Sequence, residues 1–84
     1  MPKFPRDISG RDLARFLQKY GYEIKRETGS HLRLSSKFKG EEHHITIPDH
    51  PYLKKIGTLN NIIKDVSNYL GIEKDVLVEE LTKK

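Results

Sequence analysis

Thr28-Gly29-Ser30 joins two short runs of alternating residues, Tyr22 to Glu27 and His31 to Ser35, and a three-residue link can connect only antiparallel strands. Parallel neighbours would need a crossover of a dozen residues or more. A third alternating run, His43 to Ile47, follows the linker Ser36 to Glu42, so the middle of the chain predicts a three-stranded antiparallel meander. Alternation sorts its side chains by face. Ile24, Leu32, Leu34, Ile45 and Ile47 are expected on a covered face, with Lys25, His31, Arg33, His44 and Thr46 on the open one. Pro48 closes the third strand.

Helical patterns flank the meander. Ser9 is the expected N-cap of a first helix, Asp12 completes a variant capping box, and Ile8 can staple onto Leu13. Leu13, Phe16, Leu17 and Tyr20 form its apolar stripe, and Gly21 suits the left-handed residue that ends it. Arg11, Arg15 and Lys19 recur every four residues, stacking as a cationic ridge unless they are simply a solvated face. After a loop through Lys54 and Lys55, Leu59, Ile62, Ile63, Val66 and Leu70 mark a second helix closed by Gly71. A third is expected over about 73–81, with Val76, Leu77 and Leu81 inward.

The fold class is therefore α+β: helix, three-stranded antiparallel sheet, helix, and an additional C-terminal helix. At 84 residues the chain is expected to be one domain, 1–84, with its core within about 9–70. It has no cysteine, which excludes disulfides and thiolate metal sites and suits a reducing compartment. The N-terminal stretch lacks the apolar middle of a signal peptide, and no apolar run approaches the roughly 18 residues of a membrane span. The expectation is a cytoplasmic protein without membrane contact.

Charge is unevenly spread. Residues 1–40 carry +6 and residues 41–84 carry −2, within a net charge of +4. Basicity thus concentrates around His31, which points to a polyanion such as RNA, although a small basic domain can also be merely well solvated. A histidine beside the fixed cation Arg33 on an open face is a place for phosphodiester chemistry. RNA supplies its own nucleophile, the 2′-hydroxyl, so a ribonuclease needs only proton transfer and charge stabilisation. An unperturbed imidazole, with a pKa near ~6.5, serves the first. Cations such as Arg33 and Lys25 serve the second. Ser30 could orient His31, bind a phosphate oxygen, or bond to its own backbone. Gly29 is read as the residue that lets the turn take positive φ. His44 is the candidate second acid or base if it shares the open face with His31. Lys54 and Lys55, just before the second helix, are a candidate phosphate contact. His43, His44, Asp49 and His50 suggest a metal site, but adjacent strand residues point to opposite faces, so no metal or cofactor is expected.

Gly21-Tyr22, Gly29-Ser30-His31, Ile45-Thr46-Ile47-Pro48 and Lys55-Ile56-Gly57-Thr58-Leu59 with Ile62, in that order, resemble the HicA family. The likeness runs from about Ser9 to Leu70. It implies a double-stranded-RNA-binding-domain-like fold and a type II toxin that cleaves mRNA. It also implies His31 as the catalytic histidine and a HicB-type antitoxin as partner. Spacing alone leaves His31 open to the blander reading of a surface histidine packed beside its turn. Two other functions fit the same face: a non-catalytic RNA-binding module, and a protein-interaction domain whose partner covers the sheet.

Overall fold

The computed structural model describes residues 8–38, 40–53 and 57–82. Helix α1, Gly10–Leu17, begins at Ser9, whose hydroxyl accepts from the Asp12 N–H at 3.1 Å while the Asp12 carboxylate accepts from the Ser9 N–H at 3.3 Å. This reciprocal box satisfies two of the helix's orphan donors. A 3₁₀ turn, Gln18–Tyr20, tightens the end, and Gly21 closes it at φ +87°. The strands β1 (Tyr22–Glu27), β2 (His31–Ser36) and β3 (His43–Pro48) form the antiparallel sheet in order β1-β2-β3. Helices α2 (Leu59–Leu70) and α3 (Lys74–Thr82) complete the chain. This α1-β1-β2-β3-α2 order is the double-stranded-RNA-binding-domain-like arrangement, extended by α3.

One face of the sheet is covered. Leu13 and Leu17 of α1, Leu32 and Leu34 of β2, Ile47 of β3, and Leu59, Ile63 and Val66 of α2 bury almost completely into one apolar cluster. Ile8 joins the same cluster as Leu13. Helix α1 lies across all three strands, whereas α2 packs against β3 and α3. Within α3, Leu77 and Val78 are buried and Leu81 is partly so. Val76, expected inward, is 46% exposed. Leu77 and Leu81 face inward as expected, and Val78 takes the place expected of Val76.

Ile24 is the second departure. It pairs with Leu34 across the sheet, yet it is 39% exposed because β1 is an edge strand and only Tyr22 of that strand reaches the core. Beyond Ile24 the register slips: Arg26, not Lys25, pairs with Arg33, so Lys25 and Arg26 together oppose one residue in a β-bulge.

Between sheet and α2 lies a polar network on the covered side. Tyr22 Oη and His43 Nδ1 are hydrogen-bonded at 2.7 Å, and His43 Nε2 meets Asp65 at 3.2 Å. The Tyr69 ring stacks on His43 with centroids 4.6 Å apart, and its hydroxyl donates to the Glu41 carbonyl. Burial first, then the neighbouring Tyr69 and Asp65, raise the Tyr22 phenol above its ordinary range, so it stays protonated as a donor or acceptor. His43 is thus a structural link between β3 and α2. Among the described residues no cluster of three His, Cys, Asp or Glu side chains is placed to hold a metal ion.

Candidate functional site

The β1–β2 turn fixes His31 through its backbone before any side chain acts. Thr28 N–H donates to the His31 carbonyl at 2.9 Å, and Asp49 N–H donates to the Ser30 carbonyl at 2.9 Å, tying the turn to the chain beyond β3. His31 pairs with Pro48 at the sheet's end and its side chain is exposed. Ser30 Oγ and His31 Nδ1 are hydrogen-bonded at 2.8 Å. This contact holds the imidazole through Nδ1. Among the described residues nothing hydrogen-bonds Nε2, and the residue is exposed. Gly29 does not take the left-handed conformation expected of it: the glycines with positive φ are Gly21, Gly40, Gly57 and Gly71.

Arg33, two residues along β2, shares the open face with His31 at a spacing of roughly 7 Å. It has no ion-pair or hydrogen-bond partner among the described residues. Lys25 lies at the bulge facing Arg33 and is held by Glu23 at 2.8 Å. That hydrogen bond raises the Lys25 ammonium's pKa and lowers the Glu23 carboxyl's, keeping both charged.

His44 does share the open face, but the register separates it from His31. It pairs with Ser35, four residues along β2 from His31 and therefore about 13 Å away along the strand. Its Nε2 contacts Glu42 at 2.8 Å. The two histidines share a face but are not neighbours on it. His50 is occupied too, its Nδ1 accepting from the Tyr52 N–H at 3.0 Å.

The ridge on α1 is less free than its spacing suggested. Arg11 bridges Glu27 at 2.8 Å and Asp49 at 3.1 Å, and these contacts, the Glu27 hydrogen bond foremost, raise its pKa further. Arg11 thus clips α1 to the end of β1 and to the segment after β3, both next to the His31 turn. Arg15 approaches Asp12 at 3.9 Å, and Lys19 lies 6.0 Å from the Phe16 ring centre. Lys54 and Lys55 lie outside the described residues.

A groove of about 990 Å³ runs along the open face away from His31, lined by Lys25, Arg26, Arg33, Phe38 and His44 among others. Sequence reading missed Arg26 and Phe38. Strict alternation sends Arg26 to the covered face, and only the bulge turns it outward.

A family description, the HicA toxin of bacterial toxin–antitoxin systems, matches residues 10–67. That span takes in α1, the whole sheet and most of α2. The chain belongs to the HicA toxin family. No curated protein and no solved structure matches it significantly. Membership makes it the toxin half of a toxin–antitoxin pair, with an antitoxin as its counterpart. None of the helices of this HicA protein, among the described residues, is long and apolar enough to cross a membrane.

Proposed function

We propose that this HicA protein is a metal-independent endoribonuclease in which His31 transfers the proton and Arg33 meets the phosphate, and that a HicB-type antitoxin inhibits it in the cytoplasm. The observation that carries the reading is the state of the His31 ring: exposed, held through Nδ1 by Ser30, and open at Nε2.

A serine hydroxyl can accept as well as donate. When Nδ1–H donates to Ser30, the lone pair resides on Nε2, where it can take the proton of a 2′-hydroxyl. The 2′-oxygen attacks the adjacent phosphorus, and the bond from phosphorus to the 5′-oxygen breaks. One fragment ends in a 2′,3′-cyclic phosphate and the other in a 5′-hydroxyl. Arg33 stabilises the charge that builds on the phosphoryl oxygens. With His44 about 13 Å along the strand, water protonates the leaving oxygen. An antitoxin that covers His31 and Arg33 would shut out RNA and neutralise the uncompensated cation at once.

The purified protein is expected to cut an RNA oligonucleotide and spare the DNA of the same sequence, which lacks the nucleophile; cut DNA would contradict the mechanism. Ser30→Ala removes the ring's anchor but not the ring. It should slow cleavage about threefold to tenfold, the size of one net hydrogen bond, in a single-turnover assay. An unchanged rate would remove Ser30 from the mechanism.

A further inference from the structure

Arg26 and Arg33 face each other as register partners across β1 and β2, on the open side of the bulge. Like charges directly opposite in a sheet are unfavourable, and here no acid separates them. The lysines around the groove are answered, Lys25 by Glu23 at 2.8 Å and Lys37 by Glu42 at 3.6 Å, and His44 contacts Glu42 at 2.8 Å. Among the described residues, Arg26 and Arg33 have no such partner. The bulge therefore presents two adjacent guanidiniums with their donors unspent, a fitting cradle for a phosphate.

Phe38 stands at the far end of the same groove, 65% exposed. Its backbone is pinned, since its N–H donates to the buried Ser36 hydroxyl at 3.1 Å. Its side chain rests over Gly21, where an added methyl would come within 3.2 Å of the Phe38 Cβ. A large apolar ring is thus held at a fixed place and left in water.

We infer that the open sheet face holds a single-stranded RNA segment, with a phosphate between Arg26 and Arg33 and an unpaired base stacked on Phe38. This rests on the reading of the protein as one that engages RNA, and it adds which form of RNA and where. Continuity supports it. Arg33 is two residues from His31 on the same face, so a strand whose reacting phosphate lies at His31 passes directly over the arginine pair. The path from His31 to the end of β2 is about 17 Å, enough for a few nucleotides. Stacking on an aromatic ring needs an unpaired base, as in other single-strand sites built on sheets. Among the described residues, the α1 cations that a duplex could meet are already engaged by comparison. Arg11 is bound to two carboxylates, Arg15 approaches Asp12, and Lys19 sits near Phe16.

The test uses the full chain carrying His31→Ala, so that bound RNA stays intact. A fluorescent oligouridylate and a GC-rich RNA duplex are titrated by anisotropy at several salt concentrations. The oligouridylate should bind more tightly than the duplex. Adding Phe38→Ala should weaken it about 5- to 150-fold, and Phe38→Trp should preserve it. Adding Arg26→Ala with Arg33→Ala should weaken it and flatten the slope of log affinity against log salt by about 0.7, one phosphate's worth. Arg15→Ala with Lys19→Ala should change affinity less than twofold. Circular dichroism melts confirm that each variant is folded.

The inference is overturned if the groove variants bind like the parent, if the oligouridylate does not bind, or if the duplex is preferred and is lost with Arg15 and Lys19. It is equally overturned if Phe38→Ala keeps RNA but loses a co-expressed antitoxin, which would make the groove a protein dock. Failure of the wild type to cut RNA would instead overturn the ribonuclease reading, leaving these titrations to decide the groove independently.

Discussion

Replacing His31 with alanine should reduce RNA cleavage by the purified toxin about 10²- to 10⁴-fold, the usual contribution of a positioned acid–base group. Growth arrest on expression should disappear with it. Stability should change by no more than about 0.5 kcal/mol, because the side chain is exposed and its hydrogen bond to Ser30 can pass to water. The turn itself is held by backbone bonds from Thr28 and Asp49, which alanine leaves intact. Loss of activity in a folded variant separates the enzyme from a module that merely binds RNA. A fully active variant would dismiss His31 from the chemistry.

Gly10→Ala should be the most damaging small substitution to the fold. A methyl group there would lie 2.0 Å from the Pro48 carbonyl oxygen, 3.0 Å from its carbon and 3.3 Å from the Asp49 Cα. All three atoms belong to backbone, so no rotamer change relieves the clash. Either α1 lifts from the end of β3 or the Pro48–Asp49 segment moves, and the Gly10 N–H donates to the His50 carbonyl across that seam at 2.9 Å. Overpacking of this kind costs on the order of 3 kcal/mol. An 84-residue domain has about 4–13 kcal/mol in total, so the melting temperature should fall on the order of 15 °C. Because Pro48 is the register partner of His31, activity should fall as well. Gly29→Ala is the contrast: nothing lies within 4 Å of the added carbon, and its melting temperature should hardly move. Equal melts for the two variants would contradict the close approach of α1 to β3.

The elements that local chemistry decides were readable from the chain. Ser9 and Asp12 mark the helix start by their own hydrogen bonds, and the three-residue link at Thr28-Gly29-Ser30 leaves antiparallel pairing as the only geometry. What depends on register was hidden. Alternation placed His44 on the correct face but not at its distance from His31, and it could not foresee the bulge that turns Arg26 outward. Long-range partners were equally out of reach. Arg11 looks like one of three ridge cations until the fold brings Glu27 and Asp49 to it from distant positions. Glycines misled for the same reason: Gly29 carries a turn signal but needs no unusual backbone, whereas Gly10 carries none and sits where two backbones touch. In α3, Val76 and Val78 are chemically alike, so only packing against α2 could choose between them.

The chemistry at His31 leaves its signature on the cut ends of the RNA. Mass spectrometry of an oligoribonucleotide incubated with the purified toxin in a metal chelator should find fragments ending in 2′,3′-cyclic phosphate, partnered by 5′-hydroxyl ends and absent with the His31→Ala protein. Fragments bearing 3′-hydroxyl and 5′-phosphate ends, or RNA that remains whole, would contradict attack by the neighbouring 2′-hydroxyl at this site.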